Sequence, residues 1–408
     1  MASGRLSLYS HATVTAPAAR PLVATLAFVA AALGAVTRAQ APAPAFTAHT
    51  IATGLSEGYQ VVVADLNRDA RPDIVVVDSG STRVQWYENP EWTPHVLVAG
   101  VSDPINAAAS DVDGDGIPEI ALAHGFAMAY ASSPGIVSIL THGDDPRAPW
   151  TAREIDRVPT AHRLRFADLD GTGRKVLVNA PLIGPGAVAP EYRGRMPLVM
   201  YHPGNWAREV IDEEEQGVVH GITPVTFSGD DRESLLTAGF LGVHARRVAG
   251  GQWMRTRLAA GDPAPWPKSG ASEVVVARLG GEDVVGTIEP WHGNQVVVYR
   301  RRGATWARTV VDDSVKDGHT MVAGDVDGDG RDELLVGERQ GRRSVYLYRA
   351  SSGRGNAWTR QLLDDRGMAA AGCAMADLNG DGRVDVVCVG TATANLKWYE
   401  NRPGSSGR

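Results

Sequence analysis

Carboxylate-rich segments of one kind recur along this 408-residue chain, and they indicate metal binding. Their shared pattern is Asp-x-Asp/Asn-x-Asp-Gly-x-x-Asp/Glu, with oxygen ligands at the first, third, fifth and ninth positions, although the first copy has Arg68 and Ala70 in place of the loop glycines. Oxygen-only ligation from a flexible loop suits Ca²⁺. Four copies keep the ligands, and these are Asp65/Asn67/Asp69/Asp73, Asp111/Asp113/Asp115/Glu119, Asp325/Asp327/Asp329/Glu333 and Asp377/Asn379/Asp381/Asp385. We therefore expect up to four structural calcium ions.

The same segments reveal a repeat. Three weaker copies begin at Asp168, Thr226 and Arg278, and they have lost most of the acids. The seven copies recur about every 50 residues, a period typical of propeller blades. Short apolar runs flank each copy, as expected for two strands joined by the acidic loop. The sequence thus predicts an all-β fold, a seven-bladed β-propeller of four-stranded blades.

The two ends of the repeat region indicate how the ring closes. Six repeats continue into a strand that begins with Trp, but the chain ends before the seventh repeat does so. A matching segment, residues 46–51, lies near the N-terminus instead. We expect it to form the outer strand of the last blade and to remove exposed sheet edges. The predicted domains are a propeller over residues 42–402 and a flexible tail over 403–408.

Residues 1–41 have the pattern of a signal peptide. Arg5 and Arg20 precede an apolar run, Leu22 to Val36, and the small residues Ala39-Gln40-Ala41 follow it. We expect cleavage after this segment, a secreted or periplasmic protein, and no membrane span once the segment is removed. The alternative is an uncleaved N-terminal anchor, which would change the location of the protein but not its chemistry.

Charge and cysteine content limit the function classes. The formal net charge is −7, which gives no basic footprint for nucleic acid and suits a protein that binds cations. Cys373 and Cys388 lie on either side of one hairpin turn, so they can form a disulfide or remain two buried thiols. We expect a monomer without a nucleic-acid partner.

Histidine recurs at one position of the repeat. Counting six residues back from each acidic segment gives Tyr59, Ile105, His162, His220, Ser272, His319 and Ala371. This position starts the first strand of each blade, so it lies at the face opposite the acidic loops, beside the central axis. Three of these seven positions hold histidine, although the whole chain has only 11 histidines. The three side chains should converge on one rim.

The end of the second strand reaches the same face. His124 and His292 occupy that end in their blades, and Glu289 lies three residues before His292 in the irregular segment Glu-Pro-Trp-His-Gly-Asn. A long insertion between strands of the third blade, Pro181 to Met196, carries Tyr192. Loops of this length commonly shape a pocket.

These residue types suit proton abstraction next to a carbonyl or carboxylate. A neutral His can act as a base near neutral pH, and Arg or a metal ion can stabilise enolate-like charge. The candidate catalytic residues are therefore His162, His220, His292 and His319, with His124, Arg163 and Tyr192 as partners. We expect a divalent cation at this rim, with Glu289 and His292 as its ligands.

The motifs also resemble known families. The acidic segments are similar to the FG-GAP/VCBS repeats of integrin-like propellers. The stretches from His162 to Gly186, His220-Gly-Ile, and Glu289 to Asn294 resemble the propeller domain of aldos-2-ulose dehydratase. The seven-bladed plan is similar to that of ulvan and rhamnose-glucuronate lyases. The resemblance implies β-elimination on a sugar, with His as base or acid and a divalent cation nearby.

Two functions remain open at this point. The first is a secreted lyase or dehydratase that catalyses β-elimination on a uronate or keto-sugar at the rim opposite the calcium loops. The second is a non-catalytic propeller for glycan binding or adhesion, in which the rim only recognises a carbohydrate ligand. Several histidines at one rim favour the enzyme, because binding modules seldom need them.

Overall fold

Short runs rich in Val, Ile and Ala alternate with glycine-containing turns, and in the computed structural model they form 28 β-strands. The structure describes residues 43–351 and 357–403. The strands form seven antiparallel four-stranded sheets, and one short 3-10 turn, Tyr130–Ser132, is the only helical element among the described residues. This confirms the predicted fold class.

In each of the first four blades, the strands run outward from the axis in chain order. They are β2 (Gly58–Ala64), β3 (Asp73–Asp78), β4 (Arg83–Glu88) and β5 (Thr93–Ala99); β6 (Asn106–Ser110), β7 (Glu119–His124), β8 (Ile136–Thr141) and β9 (Thr151–Arg157); β10 (Ala161–Ala167), β11 (Val176–Pro181), β12 (Arg195–Tyr201) and β13 (Arg208–Gln216); β14 (Val219–Val225), β15 (Ser234–Gly239), β16 (Gly242–Ala249) and β17 (Gln252–Ala259).

The fifth and sixth blades follow the same order, and the seventh takes its outer strand from the N-terminus. Their strands are β18 (Glu273–Leu279), β19 (Glu282–Glu289), β20 (Gln295–Arg302) and β21 (Thr305–Asp312); β22 (Gly318–Gly324), β23 (Glu333–Glu338), β24 (Val345–Ala350) and β25 (Trp358–Asp364); β26 (Ala370–Ala376), β27 (Asp385–Gly390), β28 (Asn395–Arg402) and β1 (Ala45–Thr53).

The ring closes as the sequence predicts. Strand β1 pairs with β28 in antiparallel register, with Ala45 opposite Arg402 and Thr53 opposite Asn395. The seven innermost strands contact one another in sequence order, and β26 returns to β2. The hydrophobic core consists of apolar layers between neighbouring blades, so each blade is held by its two neighbours.

The two faces of the ring differ, as the repeat predicts. The acidic loops join the first strand of a blade to the second, so they all lie at one face. The start of each first strand and the end of each second strand lie at the other face, which holds the histidines. Cys373 and Cys388 sit opposite each other on β26 and β27 and form a disulfide.

Residues 1–41, where the sequence predicts a signal peptide, lie outside the described residues, as does most of the predicted tail. Among the residues that the structure does describe, no helix has the length and apolarity needed to cross a membrane.

An acid on the outer strand of one blade connects it to the next blade at several interfaces. Asp312 at the end of β21 accepts hydrogen bonds from the Tyr348 hydroxyl at 2.8 Å and from Arg360 at 2.8 Å, both in the next blade. The same arrangement joins Asp156 to Tyr201 and Arg208, and Asp364 to Tyr399 and Lys397. These contacts fix the angle between blades, and hence the positions of the innermost strands at the axis.

Removing one acid should therefore weaken the ring. We expect Asp312→Ala to lower the free energy of unfolding by about 3 kcal/mol, because the buried Tyr348 hydroxyl and the Arg360 guanidinium lose a charged acceptor. Urea denaturation followed by tryptophan fluorescence measures this change. Tyr346→Phe is the matched control, since its hydroxyl makes only a 3.4 Å contact to Glu338. An equal loss in both variants would contradict the prediction.

Candidate functional site

Residues at the start of the innermost strands form a ring of side chains around the axis at the face opposite the acidic loops. Tyr59, His162, His220 and His319 belong to this ring. His292 follows β19 and reaches the same point from the end of a second strand. A short loop with a cis peptide bond between Glu289 and Pro290 places the imidazole there.

Three imidazoles come together in an almost regular triangle. The ring centroids of His220, His292 and His319 lie 4.9 Å apart in every pair. One nitrogen from each lies within 4.8 Å of the others, and Nε2 of His220 is 3.3 Å from Nε2 of His292. Two ligands at the usual Zn–N length around a tetrahedral ion are separated by roughly 3.3–3.4 Å. The spacing of the His220–His292 pair therefore fits two ligands of one metal ion, and a nitrogen of His319 lies within 4.8 Å of both.

The other nitrogen of each imidazole has a fixed polar neighbour. Nδ1 of His220 lies 2.8 Å from Glu273, and Nδ1 of His292 lies 3.3 Å from Asp317. Nδ1 of His319 donates to the Ala371 carbonyl at 2.7 Å, which leaves its buried Nε2 without a partner. A carboxylate or carbonyl behind each imidazole is how proteins orient histidines that bind metals.

Burial keeps these imidazoles neutral. Burial, reinforced by the charges of Arg163 and Arg339, lowers the pKa of His220 well below its usual value. Burial, together with the neighbouring histidines, does the same to the pKa of His319. The pKa of His292 is lowered for the same main reason. A neutral imidazole has a free lone pair, which is the form that binds a metal.

His162 stands beside the triangle and pairs with a tyrosine. The Tyr59 hydroxyl lies 2.9 Å from Nε2 of His162, and the ring of His162 is 5.1 Å from that of His220. Burial raises the pKa of Tyr59, although Arg163 and Arg339 oppose the change, so the hydroxyl keeps its proton. Burial lowers the pKa of His162 well below its usual value. The pair can therefore hold one transferable proton next to the triangle.

Two arginines border the histidines. Arg163 donates to the His220 carbonyl at 2.7 Å and to Glu273 at 3.1 Å, and its Nη2 lies 3.3 Å from Nε2 of His220. Arg339 donates to Asp317 at 3.0 Å and lies 3.2 Å from Nδ1 of His292. Carboxylates fix both cations in position beside the triangle and offset part of their charge.

A pocket opens over these groups. Its volume is about 390 Å³. Tyr59, His162, His220 and His292 line it, whereas His319 lines a smaller cavity further along the axis. The apolar side chains of Phe126, Met128 and Trp291 and the carboxylates of Glu57 and Asp103 also line the pocket. The volume falls in the range of small-molecule sites, which is about 300–1,000 Å³.

The insertion in the third blade lies over this face. Tyr192 from the insertion contacts Trp291 with a centroid distance of 5.8 Å, and Trp291 contacts His292 at 4.7 Å. Tyr192 is therefore one aromatic contact away from the triangle. Trp266, from the loop before the fifth blade, donates its indole N–H to the Glu191 carbonyl and so joins the two long loops.

Two candidate residues have other partners. His124 contacts Ser138 on the neighbouring strand at 3.1 Å, and no contact joins it to the triangle among the described residues. Glu289 is fully buried and accepts hydrogen bonds from Thr287, Tyr299 and Arg308. Both oxygens of Glu289 are thus engaged on the far side of its strand, and His292 is grouped with two histidines rather than with this acid.

Sequence reasoning missed four residues of the site. These are Ser272, Glu273, Asp317 and Arg339, which orient the imidazoles. The sequence could have indicated Ser272 and Glu273. Ser272 occupies the repeat position that holds histidine in other blades, and Glu273 follows it directly. Asp317 and Arg339 lie in loops whose paths the repeat does not define.

At the opposite face, the ninth acid of each intact loop is buried and accepts a backbone N–H from the second loop residue. These bonds join Asp73 to Leu66, Glu119 to Val112, Glu333 to Val326 and Asp385 to Leu378, at 2.9 to 3.0 Å. This acid therefore closes each loop whether or not a metal is bound.

The four loops differ in what remains for a metal. Asp73 and Asp385 also accept the backbone N–H of Asn89 and Asn401, so both of their oxygens are engaged. The loops of the second and sixth blades instead bring three carboxylates within 4.8 Å, and these are Asp111/Asp113/Asp115 and Asp325/Asp327/Glu333. In the sixth blade, Arg349 forms an ion pair with Asp327.

The third loop position also differs between the blades. In the first blade, Nδ2 of Asn67 donates to Asp69 at 3.3 Å and to Glu88 at 3.0 Å. In the seventh blade, Nδ2 of Asn379 donates to Asp381 at 3.1 Å. The amide of each asparagine thus occupies an oxygen of the fifth-position acid, which the ligand pattern assigns to the metal.

The four loops therefore differ in how closely the predicted calcium ligands come together. Neither the first nor the seventh loop gathers three carboxylates, because an asparagine replaces one acid and hydrogen bonds engage others. In the sixth blade, Asp329 pairs with Arg331 rather than joining the group of three. The predicted ligands that lie outside both carboxylate groups are Asp65, Asn67, Asp69, Asp73, Glu119, Asp329, Asp377, Asn379, Asp381 and Asp385.

Two family models match different parts of the chain. A model of the FG-GAP-like repeat matches residues 65–122 and 325–388, which include all four intact acidic loops. A model of the aldos-2-ulose dehydratase β-propeller domain matches residues 134–302, which include His162, His220 and His292. The blades that lost the acidic loops thus hold three of the four rim histidines, and only His319 lies outside this match.

One curated protein also matches part of the chain. Aldos-2-ulose dehydratase from Phanerodontia chrysosporium is 29% identical over 233 residues, which are 50% of this chain and 25% of that protein. The chain thus matches about a quarter of the length of this curated relative.

Two solved structures share the fold. The Dos1 propeller has a TM-score of 0.53 at 10% identity, with 85% of this chain and 82% of that one covered. A lectin from Agrocybe aegerita that recognises non-reducing terminal N-acetylglucosamine has a TM-score of 0.52 at 15% identity, with 85% and 86% covered. The chain is a seven-bladed propeller with FG-GAP-like repeats, and its central blades are related to the propeller domain of aldos-2-ulose dehydratase.

Proposed function

We propose that this protein is a carbohydrate lyase or dehydratase that catalyses β-elimination in the pocket over the three-histidine triangle. The observation that carries the proposal is the convergence of His220, His292 and His319, each held from behind, beside a proton-carrying pair. The relationship to aldos-2-ulose dehydratase supports a sugar as the substrate.

The donor set of the triangle fits a divalent transition metal such as zinc. Three neutral imidazoles with an open side resemble catalytic rather than structural zinc sites, which have four protein ligands. The buried Nε2 of His319, which has no partner, supports this assignment. A metal held there would polarise a sugar carbonyl and stabilise the negative charge that develops when the neighbouring carbon loses its proton.

The proton movements are assigned to Tyr59 and His162. Elimination breaks a C–H bond next to the carbonyl and a C–O bond one carbon further, forms a C=C bond and releases water or an alcohol. Nε2 of His162 can take the Tyr59 proton as the tyrosine oxygen accepts the proton from carbon. The same pair can then return that proton to the leaving oxygen. Arg163 and Arg339 stabilise the negative charge between these two steps.

The charges at the pocket favour a neutral keto-sugar over a uronate. Glu57 and Asp103 line the pocket, and they would repel a carboxylate substrate. Arg339, the cation that lines the pocket, is already paired with Asp317. The pocket volume suits a single sugar unit rather than a polymer.

The test is incubation of the metal-loaded protein with keto-sugars and with uronate-containing polysaccharides. The expected result is an unsaturated product from a keto-sugar, detected by its ultraviolet absorbance and by mass spectrometry. Binding of these ligands without any product would favour the alternative, a glycan-binding propeller in which Trp291 and Tyr192 form an aromatic surface for a sugar ring.

We also propose calcium in the acidic loops of the second and sixth blades, because only these two loops bring three carboxylates together among the described residues. The loop of the second blade is the stronger candidate, since its ion pair joins Asp115 to His142 rather than to an arginine. We expect Asp113→Asn to reduce the rise in melting temperature on adding Ca²⁺, which for saturation at about 100 times Kd reflects roughly 2.7 kcal/mol. Differential scanning calorimetry with and without a chelator measures this rise.

The matched control is Asp381→Asn in the seventh blade, where Arg383 already pairs with the acid. We expect it to leave the calcium response unchanged. If Asp381→Asn abolishes the rise in melting temperature on adding Ca²⁺ and Asp113→Asn does not, the calcium is bound in the seventh blade and not in the second. That result would overturn this part of the proposal.

Finally, we propose that the protein is exported to the cell exterior or the periplasm. The basic, apolar and small-residue segments within residues 1–41 support this, and the Cys373–Cys388 disulfide suits an oxidising compartment. N-terminal sequencing of the exported protein is expected to begin after Ala41. A protein that retains residues 1–41 would contradict signal cleavage.

A further inference from the structure

The channel beneath the three histidines contains a second, smaller cavity. It has a volume of about 90 Å³. Residues of the innermost strands line it, with Tyr59 and His319 at its border with the histidines and Asn106, Arg165 and Thr320 further along the axis. Most of the lining residues come one to three positions after the repeat position that holds the histidines. The cavity therefore lies on the axis, between the histidines and the face with the acidic loops. A cavity of this volume can hold a small ion with one or two waters but not a sugar.

The charges that line this cavity do not balance. Arg163 is paired with Glu273, and that carboxylate also contacts His220. Arg165 has no carboxylate within ion-pair distance among the described residues. It donates only to the Leu164 carbonyl at 2.7 Å and to the side-chain oxygen of Asn106 at 3.3 Å. Burial lowers the pKa of Arg165 to about 10, so the guanidinium still carries its charge at neutral pH.

The polar donor beside Arg165 also lacks a partner. Asn106 is 1% exposed, and its oxygen accepts the backbone N–H of Leu164 at 2.9 Å. That bond fixes the orientation of the amide, and Nδ2 of Asn106 then has no acceptor in the described part of the chain. A buried N–H without an acceptor costs free energy, and so does a partly buried cation without a counter-charge.

We propose that this axial cavity binds a small monovalent anion of halide size, held by the Arg165 guanidinium and Nδ2 of Asn106. The anion supplies both the counter-charge and the missing acceptor. A cation is excluded by the charge of the lining. The cavity borders the proposed catalytic centre at Tyr59 and His319, but the two proposed anion ligands, Arg165 and Asn106, have no role in the proposed catalysis.

Two measurements on the intact propeller test the proposal, with bromide as the probe. Crystals soaked in bromide are expected to show an anomalous peak on the axis, in contact with Arg165 and Asn106. In solution, replacing sodium gluconate with sodium bromide at constant ionic strength is expected to raise the melting temperature. No axial peak in crystals that show bromide at the surface would overturn the proposal.

Variants separate this site from general salt effects. Asn106→Asp keeps an oxygen for the Leu164 N–H and adds a negative charge beside Arg165, so it should abolish the bromide shift without loss of stability in gluconate. Arg165→Met should also abolish the shift, whereas the exposed Arg302→Met should keep it. An unchanged bromide shift in Asn106→Asp would overturn the proposal, even if Arg165→Met fails to fold.

Discussion

Replacing His319 with alanine should empty the three-histidine centre and abolish most of the turnover of a keto-sugar. The loss follows from geometry, because Nε2 of His319 is the buried nitrogen that completes the triangle with His220 and His292. A metal supplies several kcal/mol of transition-state stabilisation, so we expect kcat to fall on the order of 10³-fold or more. Metal content after dialysis, measured by mass spectrometry, should fall together with kcat.

Two further variants make this expectation specific. Glu273→Gln keeps all three ligands but weakens the acceptor behind His220, so metal affinity should fall by roughly 10–100-fold. His124→Ala is the matched control, since this histidine contacts Ser138 and not the triangle. If His319→Ala keeps both its metal and its turnover, the triangle is not the metal centre.

The second large effect is expected for the proton-carrying pair. Tyr59→Phe removes the hydroxyl that lies 2.9 Å from Nε2 of His162, and it leaves the triangle in place. Acid–base catalysis by a positioned group contributes about 10²–10⁴-fold, so kcat should fall by that factor while metal content stays unchanged. Steady-state kinetics on the metal-loaded variant measures the loss, and a metal assay on the same sample excludes an indirect effect.

Because Tyr59 and His162 act together, their losses should not add. The double variant Tyr59→Phe/His162→Gln should be about as slow as either single variant. Tyr192→Phe is the matched control, since it removes a hydroxyl near the pocket without touching the pair. Full activity in Tyr59→Phe would reassign the proton transfer to another group.

Most of the fold could be predicted from the repeat. The acidic loops define both the period and the two faces of the ring, and residues 46–51 complete the last blade as the repeat predicts. The cross-strand position of Cys373 and Cys388 also follows from the hairpin, although their oxidation state does not.

The candidate site was only partly accessible to the same reasoning. The repeat places His162, His220 and His319 at equivalent positions, so their proximity follows from symmetry. Asp317 and Arg339 depend on loop paths that no repeat defines, and so they were missed. Glu289 was expected beside His292, but its carboxylate instead pairs with Arg308 on the outer strand of the same blade. A count along the sequence cannot show on which side of an irregular turn an acid will lie.

The acidic loops show a similar limit. Four sequences carry the same ligand pattern, yet only the structure shows that Asn89 and Asn401 occupy the second oxygen of Asp73 and Asp385. These asparagines lie about 16 residues away from the acids, on the third strand or just beyond it. Competing hydrogen bonds of this kind depend on strand register, which the ligand pattern does not encode.

The pairing of β1 with β28 also has a consequence for biosynthesis. His49 and Glu400, 351 positions apart, form a hydrogen bond across this pair. Strand β1 is synthesised first and stays unpaired until β28 has been synthesised. Contacts this distant in sequence form slowly, because the loop they close is long. A ribosome that stalls before β28 therefore releases a chain with an open ring and an unpaired edge. Closure of the ring therefore requires that the strands of all seven blades have been made, and a chain truncated before β28 keeps an unpaired edge that can associate with other chains.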